Sequence, residues 1–238
     1  MKIEVLYPEV CCLFGDKANM RYFKLCLPDA EFIETPIKEQ PKFLTEDVDM
    51  VYIGSCSESN QERILSRLKG YEERIKSLIE KGVVFLTTGN AFEIFGKYIE
   101  NTDGTKIDAL NIFSFNAVRT IPKRNNSLFV GKYENIDIVG YTSRFSHTYN
   151  IDENDEFISV KKGFGASVES KNEGVKRNNF FGTYLLGPFL IQNPLFTKEL
   201  MKKLGVENPT LPFEADIMKA YEVRLVELNK DIVFDWYQ

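Results

Sequence analysis

Short runs of β-branched and aromatic residues alternate along this chain with segments of three-to-four apolar spacing. Residues 3–7 (IEVLY) predict a first strand, 32–37 a weaker second one, and 48–53 (VDMVYI) a third that runs into a glycine. Between 60 and 81 the apolar positions Ile64, Leu65, Leu68, Tyr71, Ile75, Leu78 and Ile79 keep helical spacing, with Ser57 and Ser59 before them and Gly82 after. Residues 83–88 (VVFLTT) predict a buried strand and 90–98 a helix. Strand and helix in alternation at this spacing imply parallel βαβ units with helices on both faces of the sheet. Beyond Asp103 the strand candidates are shorter (127–133, 136–141, 157–161 and 180–185) and are separated by polar turns such as IDENDE. That texture predicts a mixed or antiparallel extension of the same sheet. Helices at 197–203 and 213–230, with Pro194 and Pro212 near their starts, close the chain. The expected fold is a three-layer α/β domain over 1–238, with parallel core strands, helices on both faces and a mixed extension.

Charge and composition narrow the function more than the fold. The chain has 238 residues with 30 Lys and Arg against 35 Asp and Glu, a formal net charge of −5. This balance offers no bulk attraction for nucleic acid. No apolar run approaches the ~18 residues of a membrane span, and MKIEVLYPEV has no long apolar leader segment. The expectation is a cytoplasmic protein without a membrane span. Cys11, Cys12, Cys26 and Cys56 all fall in the first quarter of the chain, in neither a zinc spacing nor a disulfide framework. They read as thiols in a reducing compartment, and no metal or cofactor is expected. The single histidine, His147, limits any Cys–His or Ser–His mechanism to one imidazole.

Open α/β sheets bind ligands at the carboxyl ends of their strands, which directs attention to three loops. The first spans 7–20 (YPEVCCLFGDKANM), the second 53–61 (IGSCSESNQ) and the third 86–98 (LTTGNAFEIFGKY). The third has the strand, tight small-residue turn and helix of a nucleophile elbow, which lifts one side chain beside backbone N–H groups able to hold an oxyanion.

These loops, in order with GYTSRFSHTY (140–149) and GTYLLGPFLIQNP (182–194), resemble the cobyric-acid-synthase (CobB/CobQ) type of class I glutamine amidotransferase. The likeness is greatest to the GatD-type glutaminase subunits of lipid II isoglutaminyl synthase. It runs from about Tyr7 to Leu204 and leaves 205–238 as a helical extension. Its strongest parts are Tyr7, Pro8, Leu13, Phe14, Gly15, Asp16 and Asn19 in the first loop, and the TYL-x-GP…NP segment. The resemblance implies ammonia release from glutamine by an elbow cysteine, with a histidine as general base and acid. It also implies an oxyanion site of glycine-rich loop and elbow amides, and a Mur-ligase-like partner that uses the ammonia to amidate the peptidoglycan stem peptide.

Residue by residue, the resemblance implies a changed centre. The elbow pattern C-G-G-x-Q falls on Gly89, Asn90, Ala91, Phe92 and Glu93, so Gly89 stands at the nucleophile position. A shift of one residue brings Thr88 or Asn90 there. The base position in TYL-H-GP is Leu186. His147 falls where GFENHGGRT-like segments carry arginine. The oxyanion loop becomes Gly54, Ser55, Cys56, Ser57 and Glu58, with side chains where the family has glycines. Cys56 and His147 are the available substitutes for nucleophile and base. Gly15, Asp16 and Asn19 form the entry loop, of which Gly15 and Asp16 are expected to fix a turn, with a partner surface as a further role for Asp16. Glu72 and Glu73 read as a solvated helix face. The expected function is therefore a catalytically degenerate GatD-like subunit in heterodimer with the Mur-ligase-like protein. The alternatives are an active glutaminase with relocated residues, and a sensor holding glutamine or another small molecule in the old pocket.

Overall fold

The computed structural model describes residues 1–230 and 232–237. The first half supplies β1 (Lys2–Leu6), β2 (Glu31–Thr35), β3 (Met50–Ile53) and β4 (Val84–Thr88), then the short strands β5 (Tyr98–Glu100), β6 (Lys106–Asp108) and β7 (Asn116–Arg119). The second half adds β8 (Asn125–Tyr133), β9 (Ile136–Arg144), β10 (Ser146–Tyr149), β11 (Glu156–Lys162), β12 (Asn172–Arg177), β13 (Phe180–Thr183) and β14 (Asp235–Tyr237). The helices are α1 (Lys17–Cys26), α2 (Glu58–Leu68), α3 (Glu72–Glu80), α4 (Phe189–Gln192), α5 (Pro194–Lys203) and α6 (Glu214–Asn229).

One large sheet runs in the order β14-β8-β11-β12-β13-β4-β3-β1-β2, with β9 also paired to β8. From β2 to β13 it is parallel, and from β13 outward it is antiparallel. This is the α/β fold with a mixed extension that the hydrophobic pattern predicts. A second sheet, β10-β7-β5-β6, has no counterpart in the sequence reading.

The central strands MVYI and VFLTT are buried at every position, as parallel strands covered on both faces must be. Their alternate residues feed two separate cores. Val51, Ile53 and Phe85 pack with Ile64, Leu68 and Ile75 of α2 and α3 on one face. Met50, Tyr52, Val84 and Leu86 pack with Phe23 of α1 and with Leu190, Phe196 and Leu200 of α4 and α5 on the other.

Four expectations are corrected. The helix predicted over 60–81 is two helices, because Gly70 adopts φ +92° and turns the chain between them. The helix predicted over 90–98 is a 3-10 helix, Gly89–Phe95, followed directly by β5. The first loop is shorter than 7–20, since α1 begins at Lys17 and buries Met20, Tyr22, Phe23 and Cys26. The stretch 205–238 is not wholly helical, because β14 pairs antiparallel with β8 beyond α6.

Candidate functional site

The strand order places the carboxyl ends of β3, β4 and β13 side by side, and their loops enclose a cavity of about 170 Å³. Ser55, Cys56, Gly89, Asn90 and Leu186 line it, together with Arg144 at the end of β9. The second and third loops and the segment after β13, all singled out by the sequence, therefore meet at one place.

Gly89 makes the turn out of β4 with φ +62°, between extended Thr88 and the 3-10 helix. That is the strand–turn–helix geometry of an elbow, with no side chain at its tip. A β-carbon on Gly89 would collide with Ser55 Cβ, and would lie 3.2 Å from Ser55 Cα and 3.4 Å from Leu186 Cδ2. Ser55 thus already occupies the space that a β-carbon at the turn would need, with Leu186 in van der Waals contact beside it. Ser55 is held there by its Oγ–H donating to Leu13 O at 2.9 Å.

Asn90 fastens the loops rather than facing open solvent. Its Oδ1 accepts from Cys56 N at 3.1 Å and lies 3.6 Å from Cys56 Sγ, while its carbonyl accepts from Gln61 Nε2 at 2.6 Å. Ala91 turns into the apolar core beneath and does not line the cavity.

Below the cavity lies a clamp built on Asp16. Its buried carboxylate accepts from the Ser55 amide, from Thr88 Oγ1 at 2.9 Å and from Asn19 Nδ2 at 3.1 Å. Burial raises the Asp16 pKa, and the hydrogen bonds from Ser55, Thr88 and the Gly187 amide act against that rise. Asn19 Nδ2 also donates to Tyr52 Oη at 3.0 Å, and its Oδ1 accepts from Leu190 N at 2.9 Å. Gly54 admits the close approach this requires, since a β-carbon there would lie 2.7 Å from Cys11 O. Gly15, at φ +78°, leads into α1. The expectation for Gly15 and Asp16 is a turn; the structure has Gly15 at positive φ just before α1 and Asp16 in contact with Ser55, Thr88 and Asn19. A role for Asp16 on a partner surface does not fit this geometry, because its side chain is fully enclosed.

His147 stands apart from the other predicted residues. It lies on β10, outside the cavity wall, with Nδ1 3.5 Å from Arg144 Nη2. Burial, then the charges of Arg144 and Lys123, push its pKa down to about 3. Cys56 has no hydrogen bond to it among the described residues; the thiol's contacts are Asn90 and Cys11. Cys11, also buried, has a pKa raised well above the usual thiol value, by contact with Cys56 and by desolvation.

Two features have no place in the sequence reading. The first is a buried polar network in which Glu93 accepts from Ser146 Oγ, from Gln61 Nε2 at 2.7 Å and from Tyr184 Oη at 2.7 Å. Arg119 continues it, donating to Gln61 Oε1 at 3.0 Å and to Glu62 Oε1 at 2.7 Å. Burial raises the Glu93 pKa, opposed by those hydrogen bonds. The second is Arg144 itself, stacked on Tyr184. Its signal in the sequence is an arginine at the carboxyl end of a strand run, where ligands bind such sheets. Among the described residues, no group of three His, Cys, Asp or Glu could hold a metal ion, and no helix is long and apolar enough to cross a membrane.

Comparison with known proteins agrees with this geometry. The CobB/CobQ-like glutamine amidotransferase domain family matches residues 2–194. The GatD subunit of lipid II isoglutaminyl synthase (glutamine-hydrolyzing) from Staphylococcus aureus (strain N315) is 28% identical over 178 residues, covering 75% of this chain and 72% of that protein. The GatD subunit from Streptococcus pneumoniae (strain ATCC BAA-255 / R6) is 26% identical over 231 residues, covering 92% of this chain and 87% of that protein. A crystal structure of a glutamine amidotransferase shares the fold with a TM-score of 0.56 and 15% identity, over 86% of this chain and 99% of that one. With its elbow turn, its strand order and most of its length accounted for in this way, the chain belongs to the CobB/CobQ-like glutamine amidotransferases.

Proposed function

We propose that this chain is a GatD-like subunit that no longer hydrolyses glutamine and that acts in the cytoplasm on a Mur-ligase-like partner in amidation of the cell-wall stem peptide. In this reading 1–238 form one amidotransferase-like domain without a cofactor. Gly89 stands at the nucleophile position and Leu186 at the base position. The observation that carries the reading is the elbow itself, where Gly89 brings no side chain to the turn and a β-carbon there would collide with Ser55. Removing nucleophile or base from a covalent triad typically lowers turnover about a million-fold, leaving only binding and oxyanion effects.

The reading with relocated residues has no comparable support. Cys56 is turned to Asn90, and His147 faces Arg144 from outside the cavity wall. An imidazole with a pKa near 3 is also a weak base at neutral pH. The partner rests on the GatD likeness, whose relatives are named as subunits.

Glutamate release from glutamine, measured on the purified chain alone and with a co-expressed Mur-ligase-like protein, tests the first part. No release above background is expected in either case. Release that disappears in Cys56→Ala would overturn the proposal. Affinity purification from the native host tests the second part, with a stoichiometric Mur-ligase-like protein expected and a bare monomer counting against it.

A further inference from the structure

Two of the four thiols meet where the first loop packs on the second. The side chains of Cys11 and Cys56 are in hydrogen-bond contact, and both are buried, at 3% and 4% exposed. The backbone is stitched together around this contact. Leu13 N donates to Ser55 O at 3.2 Å, and Ser55 Oγ donates back to Leu13 O at 2.9 Å. Gly54 lies so near that a β-carbon on it would stand 2.7 Å from Cys11 O. Cys11 N itself donates to Tyr7 O at 2.9 Å, and Cys56 N to Asn90 Oδ1 at 3.1 Å. The two sulfurs are therefore held together by their loops and not by the thiol contact alone.

The other two cysteines are placed differently. Cys12 is half-buried, with its Sγ 3.8 Å from Glu9 O, and Cys26 belongs to α1 and the core on the opposite face of the sheet. Cys11 and Cys56 share one core. Cys56 also lines the elbow cavity, whose volume of about 170 Å³ admits a molecule as small as hydrogen peroxide. The neighbouring thiol and burial hold Cys11 protonated, so the first attack on an oxidant falls to Cys56.

We propose that Cys11 and Cys56 form an oxidative modification site, at which hydrogen peroxide converts the two thiols into a disulfide that ties the first loop to the second. In the first step Cys56 Sγ loses its proton and attacks one peroxide oxygen. The O–O bond breaks, Cys56 becomes a sulfenic acid, and the other oxygen leaves as water. In the second step Cys11 Sγ attacks the sulfenic sulfur. The S–S bond forms, the S–O bond breaks, and the hydroxyl leaves as water with the Cys11 proton. The pair of thiols gives up two electrons, and the peroxide is reduced to two waters. Contact between the sulfurs makes the second step intramolecular and favours it over further oxidation of Cys56. A dithiol reductant reverses the bond by exchange. This goes beyond the loss of hydrolysis and needs neither glutamine nor a protein partner.

Treatment of the folded full chain with hydrogen peroxide tests it, followed by alkylation and mass-spectrometric peptide mapping without reduction. A Cys11–Cys56 link within one chain is expected, with free thiols falling from four to two and returning with dithiothreitol. Cys11 and Cys12 are adjacent, so the same map on Cys12→Ser assigns the partner, and the link is expected to persist there. Cys11→Ser removes the resolving thiol, so dimedone is expected to trap the Cys56 sulfenic acid about tenfold or more above the unaltered chain. If melting shows that Cys11→Ser does not fold, the map on the unaltered chain carries the test alone. Four free thiols after treatment, a link through Cys12 or Cys26 in place of Cys11, or unlinked Cys56 carried on to sulfinic acid overturns the proposal. The readout is thiols and not glutamate release, so failure of this proposal and failure of the functional one are separate results.

Discussion

Gly187 lies against Asp16 so closely that a β-carbon on the glycine would sit 2.6 Å from Asp16 Oδ1 and 2.7 Å from Asp16 Cα. The Gly187 backbone also opposes the rise that burial imposes on the Asp16 pKa, so the same close contact favours the charged carboxylate. Gly187→Ala is expected to lower stability by about 1–3 kcal/mol through overpacking. Urea denaturation reads this as a lower midpoint at unchanged slope. An unaltered midpoint would show that the clamp yields easily.

Ser55 and Gly89 are coupled through shared space. Gly89→Ala is expected to cost about 1–3 kcal/mol, from its left-handed backbone and from the collision with Ser55. Adding Ser55→Gly removes the collision but not the backbone strain. The double variant is therefore expected to lose less than the sum of the singles, with a coupling of roughly 0.5–3 kcal/mol in a double-mutant cycle. Additive losses would mean that the two positions do not compete.

His147 can be followed alone, since no other imidazole is present. Its pKa is depressed from 6.5 to about 3, so its contribution to stability is present above 6.5 and is lost as pH falls toward 3. Its ring resonances are expected to stay flat from about pH 8 to 5, where an exposed histidine titrates. His147→Gln is expected to flatten the decline in stability below pH 6.5. A midpoint near the ordinary histidine value would contradict the burial of this ring.

Glu173 has the opposite sign. Burial raises its pKa from 4.5 to about 7, against hydrogen bonds from Thr183 and Tyr184 and the charge of Arg144. The folded form holds the proton more tightly than the unfolded chain does. Its contribution is full below 4.5 and is lost as pH rises through about 7. Glu173→Gln is expected to remove that slope, leaving stability nearer to constant between pH 4.5 and 7 in chemical denaturation. A slope equal to that of the unaltered protein would place the buried proton elsewhere.

How much of this can be read from the chain depends on whether a signal is local. VFLTT and MVYI announce buried strands because every position in them is apolar or β-branched. The break at Gly70 is hidden because Leu68, Tyr71 and Ile75 continue the helical spacing across it. The second sheet is hidden for another reason. Its strands have three or four residues, YIE, KID, NAVR and SHTY, and exist only through pairing with distant segments, such as β7 with β10. The loops of the site are legible from their place after β3 and β4. The meeting of Cys11 with Cys56 is not, because nothing in a sequence says which distant thiols touch.

The filled elbow also bears on history. On the proposed reading, a cysteine arriving at position 89 meets Ser55, and one arriving after Ser55→Gly still faces Leu186, which can take no proton. Each single step lowers stability or leaves it unchanged, and none by itself yields a working nucleophile and base. Proteins held near a stability threshold lose such intermediates to selection before a benefit appears. On that reading the packing at the elbow acts as a ratchet against a return to glutamine hydrolysis by single substitutions.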